Sequence, residues 1–275
     1  MPTNKNELAT KLADLGLRWT ANSLADLVAH ATRKRWGTVQ ILEHIAEHEL
    51  SEKRRRSLER RLAQSRIGRF RAMADFDWSW PKKIDRALVE SALALDFLEA
   101  SGNVVLVAAQ GLGKTMIAKG LAHAAALAGH TVRFITASDL LLDLASQDSA
   151  RGLERRLKYW ASIKLLVLDE LGYLSYDARN ADLLFQVVSR RYESKSIVLT
   201  TNLAFKDWPT IFPNAACTTA LIDRIVHHAD RHRRRELPTP RRRAQSLTRP
   251  QGCFDHDRAH ASIPRPVWFR LSERL

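Results

Sequence analysis

The eight residues Ala108-Ala109-Gln110-Gly111-Leu112-Gly113-Lys114-Thr115 restrict the fold of this 275-residue chain more than any other feature. They follow an apolar run, Val104 to Val107, and lead into a helical pattern that begins at Lys114, so a strand must pass into a helix through a glycine turn. Gly111 and Gly113 allow the backbone to curl until its amides face one centre, where the helix N-terminus adds positive potential. Phosphate oxygens suit that cradle. Lys114 is placed to reach β- and γ-phosphates, and the Thr115 hydroxyl to ligate Mg²⁺. The candidate cofactor-binding set is Gly111, Leu112, Gly113, Lys114, Thr115 and Met116, with ATP and Mg²⁺ as the ligands. The usual loop begins with Gly, where Ala108 stands here; its methyl is tolerated at negative φ and strains the loop at positive φ.

A second motif supports the first. Leu165-Leu166-Val167-Leu168-Asp169-Glu170 is an apolar strand ending in two acids, 54 residues after Thr115. Charge then sits at the carboxyl edge of a sheet, where open α/β sheets bind ligands. Asp169 is the candidate Mg²⁺ ligand beside Thr115, and Glu170 the candidate group that polarises an attacking water. Ser196-Ile197-Val198-Leu199-Thr200-Thr201-Asn202 is a third strand with a polar end. Alone it reads as a strand leaving into a turn; beside the other two motifs, Asn202 reads as a γ-phosphate sensor. Leu221-Ile222-Asp223-Arg224 carries little weight alone, and His227-His228 reads as surface histidines, because adjacent helical residues point about 100° apart.

Alternation sets the fold class. Helix is expected over Asp85–Ala100, strand over Asn103–Ala108, helix over Lys114–Ala128 and strand over Thr131–Thr136. Ser138 is the expected cap of a helix Asp139–Ser146. Strand Leu165–Asp169, helix Ala181–Tyr192, strand Ser196–Thr200 and helix Leu221–Ala229 follow. This is an α/β pattern, a parallel sheet with helices on both faces. Residues 1–66 read as a separate small helical domain. With no Gly or Pro between Thr38 and Ile67, one long helix is expected there. Residues 67–83 form a linker whose aromatics are expected to pack on the neighbouring domain, and 84–230 hold the phosphate-binding domain.

Net charge is +14, which favours polyanions through counterion release. Residues 49–71 hold nine basic and three acidic residues, an excess read as a phosphate-contacting stretch centred on the basic helix 49–66. The tail 231–275 holds twelve arginines, no lysine, four acids and five of the nine prolines, and is read as mostly disordered. Two cysteines, Cys217 and Cys253, have no metal-ligand spacing and fit a reducing compartment. No apolar run reaches membrane-spanning length, so a soluble cytoplasmic protein with no membrane partner is expected.

Longer strings then make the likeness specific. Leu58–Leu62, Asp85–Leu88, Gly111–Thr115, Leu168–Leu174 (LDELGYL), Leu184–Glu193 (LFQVVSRRYE), Thr201–Leu203 and Leu221–Arg224 resemble the IstB-like transposition helper ATPases of bacterial insertion sequences. Those are relatives of the bacterial helicase loaders in the AAA+ superfamily. The resemblance runs from about Leu8 to Asp230 and implies an AAA+ ATPase domain behind a helical N-terminal domain. It implies ATP-dependent homo-oligomers on duplex DNA and a partner transposase. By motif position, Asn202 is the first sensor and Arg224 an arginine finger for a neighbour's ATP. Family members look as though they continue after Asp230 with a strand and a Gly-x-Ser-Tyr-Arg segment; this chain reads RHRRRELPTP instead. Suitable codons for those ten residues, read one base later, give Val-Thr-Val-Asp-Gly-Ser-Tyr-Arg-Arg, so a gene frameshift near Asp230 is the hypothesis, with the tail a chance sequence. Three rivals stand beside transposition: a helicase loader, a non-hydrolysing ATP-switched DNA-binding module, and an inactive product of a decaying element.

Overall fold

A computed structural model describes residues 5–79, 84–173, 175–226 and 267–270. The chain divides into two compact units, residues 1–63 and 64–275.

The first unit is helical. α1 (Lys5–Asp14) and α2 (Arg18–Lys34) are separated at Gly16, whose φ of 83° reverses the chain. Leu24, Leu27 and Ala31 form the buried stripe of α2. α3 runs unbroken over Thr38–Ser65, as the absence of Gly and Pro allows. A buried carboxylate ties it to α2: Glu49 accepts from the Thr20 amide at 2.8 Å and from the Thr20 hydroxyl at 3.0 Å. Trp19 stacks on His48 with ring centroids 4.1 Å apart. The basic stretch of α3 is partly neutralised by its own acids. Arg55 pairs with Glu52 at 2.7 Å and Glu59 at 2.6 Å, and Arg56 lies 3.9 Å from Glu49. Lys53, Arg54 and Arg60 remain exposed on this helix.

The second unit is built on one parallel sheet. Its strands are β1 (Val104–Val107), β2 (Val132–Thr136), β3 (Leu165–Leu171), β4 (Ser196–Thr201) and β5 (Val267–Arg270), in the order β2-β3-β4-β1-β5. Successive side chains point to opposite faces, so each strand feeds two cores. Val105, Leu166, Leu168, Ile197 and Leu199 join one large buried cluster with α7 (Ala137–Ala145), α8 (Ala150–Ser162), α9 (Ala178–Arg191) and α10 (Ala215–Val226). Val104, Leu106, Leu165, Val167 and Val198 are equally buried outside that cluster. The sheet also packs against α6 (Lys114–Leu127), whose Ile117, Ala118, Leu121 and Ala125 are fully buried. This is the expected α/β arrangement.

Several boundaries differ from the sequence reading. The helix expected over Asp85–Ala100 breaks at Leu95, which takes φ 70°, leaving α4 (Arg86–Leu93) and α5 (Asp96–Glu99). Thr136, not Ser138, caps α7, accepting from the Asp139 amide. α8 was not anticipated; Ser149 caps it, and only Gly152, Leu157 and Trp160 are fully buried. α9 begins at Asp177's cap, ahead of Ala181, and α10 at Ala215, ahead of Leu221. The tail contributes Val267–Arg270 as an edge strand, paired from Val104↔Val267 to Val107↔Arg270. The remainder of 231–275, including Cys253, and the pair His227-His228 lie outside the described residues.

The linker straps along α6. Phe70 meets His123 at 5.4 Å, and the Arg69 carbonyl accepts from Lys119 at 3.5 Å. A short 3₁₀ turn, Met73–Asp75, crosses at Gly120, where any Cβ would collide with the Met73 side chain. Among the described residues no helix is long and apolar enough to cross a membrane.

Candidate functional site

Helix ends show where an anion belongs. The first amides of a helix need acceptors, normally a side chain at the N-cap. In the second unit Asp85, Thr136, Ser149 and Asp177 cap α4, α7, α8 and α9, and Asn214 accepts from the first amides of α10. α6 differs: its N-cap is Gly113, at φ 82°, with no side-chain acceptor. The amides at this one long-helix start are left for an external anion.

The loop before α6 completes the cradle. Gly111 has φ 79° and open space around it, so the backbone is accessible there. Gly113 is wedged instead: a Cβ would stand 2.8 Å from Phe76 Cε2. Leu112 is buried and anchors the turn. Ala108 is absent from the described residues of positive φ, so its methyl brings no backbone strain, and it is buried at the end of β1. Lys114 Nζ donates to the Ala108 and Ala109 carbonyls, each at 2.7 Å. Burial pulls its pKa below the ordinary lysine value, opposed by attraction to Asp169 and Glu170. Both acids of the second motif therefore act on the loop lysine.

Asp169 is buried and Glu170 exposed, although they are neighbours. The reason is a bulge: Leu168 pairs with Leu199 and Leu171 with Thr201, so Asp169 and Glu170 together oppose Thr200. Glu170 takes φ 62°, a conformation a non-glycine residue rarely adopts. Asp169 Oδ1 accepts from the Thr115 hydroxyl at 3.2 Å and from the Thr200 hydroxyl. The Glu170 amide donates to Thr200 Oγ1 at 2.9 Å.

Lys114, Thr115, Asp169 and Glu170 thus converge, with Met116 in the first turn of α6. Asn202 stands exposed just after β4. Arg224 packs elsewhere, its guanidinium 4.5 Å over the Phe185 ring and 3.4 Å from the Ala220 carbonyl. Thr200 was not singled out from sequence. Its signal in the sequence is a polar pair, Thr200-Thr201, closing the apolar run Ile197–Leu199; in the structure Thr200 is 1% exposed. The donor set fits a phosphorylated ligand with a hard cation: uncapped amides and an ammonium for phosphate, a hydroxyl and a buried carboxylate for the metal.

The chain is similar to several known proteins. The insertion sequence IS21 ATP-binding protein of Pseudomonas aeruginosa is 34% identical over 224 residues, 82% of this chain and 84% of that one. The insertion sequence IS232 ATP-binding protein of Bacillus thuringiensis is 31% identical over 83% of this chain and 92% of its own. Among solved structures, DnaI is 16% identical with a TM-score of 0.48, over 74% of this chain and 93% of that one. Residues 10–236 match the family of IstB-like ATP binding proteins, and the chain belongs to that family.

Proposed function

We propose that this ATP-binding chain hydrolyses ATP with Mg²⁺, forms homo-oligomers on duplex DNA and assists a transposase. The observation that carries the Mg²⁺–ATP reading is the contact of Thr115 with Asp169 across 54 residues of sequence, directly beside Lys114. Thr115 and Asp169 would hold Mg²⁺, which when bound neutralises charge on the phosphate oxygens. Gly111–Met116 would hold the triphosphate by backbone amides and Lys114. Glu170, exposed beside the cradle, would take a proton from attacking water, and Asn202 would bind the γ-phosphate edge. The transposase reading leans on the relatives' insertion-sequence origin. The DNA reading leans on the basic excess of residues 49–71 and on the exposed Lys53, Arg54 and Arg60.

Arg224 gives the oligomer its test. Its contacts are with α9 and its own helix rather than with the phosphate loop, and by motif position it would act on a neighbour's ATP. Arg224→Ala and Lys114→Ala are each expected to lack turnover alone, and their mixture to regain it, because one supplies intact sites and the other intact arginines. A mixture that stays inactive would reject the shared site. Retention of a transposase, rather than a replicative helicase, on the ATP-loaded protein would separate transposition from helicase loading. A non-hydrolysing switch is the second reading, favoured by the missing Gly-x-Ser-Tyr-Arg segment after Asp230.

A further inference from the structure

We infer that Thr200 is a positioning residue of the nucleotide site, setting both acids of the β3 bulge through one hydroxyl; this rests on the Mg²⁺–ATP reading above. The bulge creates two problems. It turns the Asp169 carboxylate into the protein, where a charge needs donors. It also forces Glu170 into a left-handed backbone and detaches its amide from the β3–β4 ladder. Thr200, the lone β4 residue opposite the bulge, answers both. Its hydroxyl donates to Asp169 Oδ1, and its lone pair accepts the Glu170 amide at 2.9 Å.

Only a hydroxyl does both jobs in that space. An amide-bearing side chain is larger, and valine, of the same shape, neither donates nor accepts. The contacts have a direction. With Thr115 and Thr200 both donating to Oδ1, the second carboxylate oxygen of Asp169 is left for the cation shell. With its amide pinned, Glu170 projects outward instead of following Leu168 and Leu171 into the core. Groups that orient a metal-holding carboxylate typically alter metal affinity or activity by about 10–100-fold when removed.

The experiment uses the full chain and a fluorescent ATP analogue, titrated with Mg²⁺, for wild type, Thr200→Val, Thr200→Ala and Thr200→Ser. Thr200→Val and Thr200→Ala are expected to need about tenfold more Mg²⁺ for half-maximal Mg²⁺-dependent binding, and Thr200→Ser to stay within about twofold of wild type. Hydrogen exchange at the Glu170 amide should quicken in the first two and stay slow in Thr200→Ser. A wild-type-like Mg²⁺ titration for either hydroxyl-free variant overturns the proposal. So does a loss of about tenfold in Thr200→Ser, which keeps the hydroxyl and loses only packing; that criterion stands even if the other two do not fold. Wild type that binds the analogue without any Mg²⁺ dependence is a different failure, and removes the Mg²⁺–ATP reading itself.

Discussion

Gly113→Ala should be costly because of the Phe76 ring, and the cost can be apportioned. Gly113 has φ 82°, which an L-residue adopts at a penalty of about 1–2 kcal/mol. A new Cβ would also stand 2.8 Å from Phe76 Cε2 and 3.3 Å from Cζ, inside the roughly 3.5–4.0 Å of favourable carbon contacts. The ring cannot easily yield: Phe76 is 7% exposed and tilts against Trp78 at 4.8 Å. Overpacking of this kind costs about 1–3 kcal/mol. The two parts together give roughly 2–5 kcal/mol. Phe76→Leu removes the ring edge and leaves the backbone penalty. Urea unfolding of wild type, Gly113→Ala, Phe76→Leu and the double variant should therefore show the alanine costing about 1–3 kcal/mol less in the leucine background. If the two changes add within about 0.5 kcal/mol, the wedge of Phe76 against the loop is wrong.

Other expectations follow from single contacts. Ala108→Gly should not raise ATP affinity, since Ala108 carries no positive φ, and should lower stability by about 0.4–1 kcal/mol through the unfolded chain; tighter ATP binding would contradict this. Burial alone would raise the Asp143 pKa, but hydrogen bonds from Arg156 and Trp160 outweigh it and hold the carboxyl below its ordinary value. Its stabilisation is thus present above the unfolded pKa of about 3.9 and is lost as pH falls through the folded value. Asp143→Asn should cost about 2 kcal/mol at pH 7, and the gap to wild type should close towards pH 3 in unfolding curves. Arg191 is fully buried, with its guanidinium on the carbonyls of Trp160, Lys164 and Ser196. Arg191→Lys cannot reach three acceptors in that fork geometry and should destabilise by about 2–4 kcal/mol while leaving ATP affinity of the folded protein unchanged.

The sequence made the sheet and the phosphate loop readable for physical reasons. β1, Leu165–Leu168 of β3 and Ile197–Leu199 of β4 are buried, so they appear as apolar runs, and the glycine turn of Gly111 and Gly113 has few structural alternatives. What escaped depended on distant partners. α8 carries four basic residues and a thin apolar stripe, and its packing on α7 through Asp143 and Arg156 cannot be seen locally. Leu95 breaks a helix without Gly or Pro, because the following turn must bury Phe97 and Leu98. The bulge at Glu170 exists only in the pairing with β4, so Thr200 looked like any polar residue at a strand end. Part of the charge of α3 is answered in the same hidden way: Arg55 and Arg56 pair with Glu52, Glu59 and Glu49 on their own helix.

The most direct test of the whole account is ATP turnover with and without long duplex DNA, for wild type, Lys114→Ala and Glu170→Gln. The account predicts DNA-stimulated phosphate release by wild type, none from either variant, and ATP still bound by Glu170→Gln. Phosphate release that survives Lys114→Ala, or ATP bound by wild type and never hydrolysed, would contradict it.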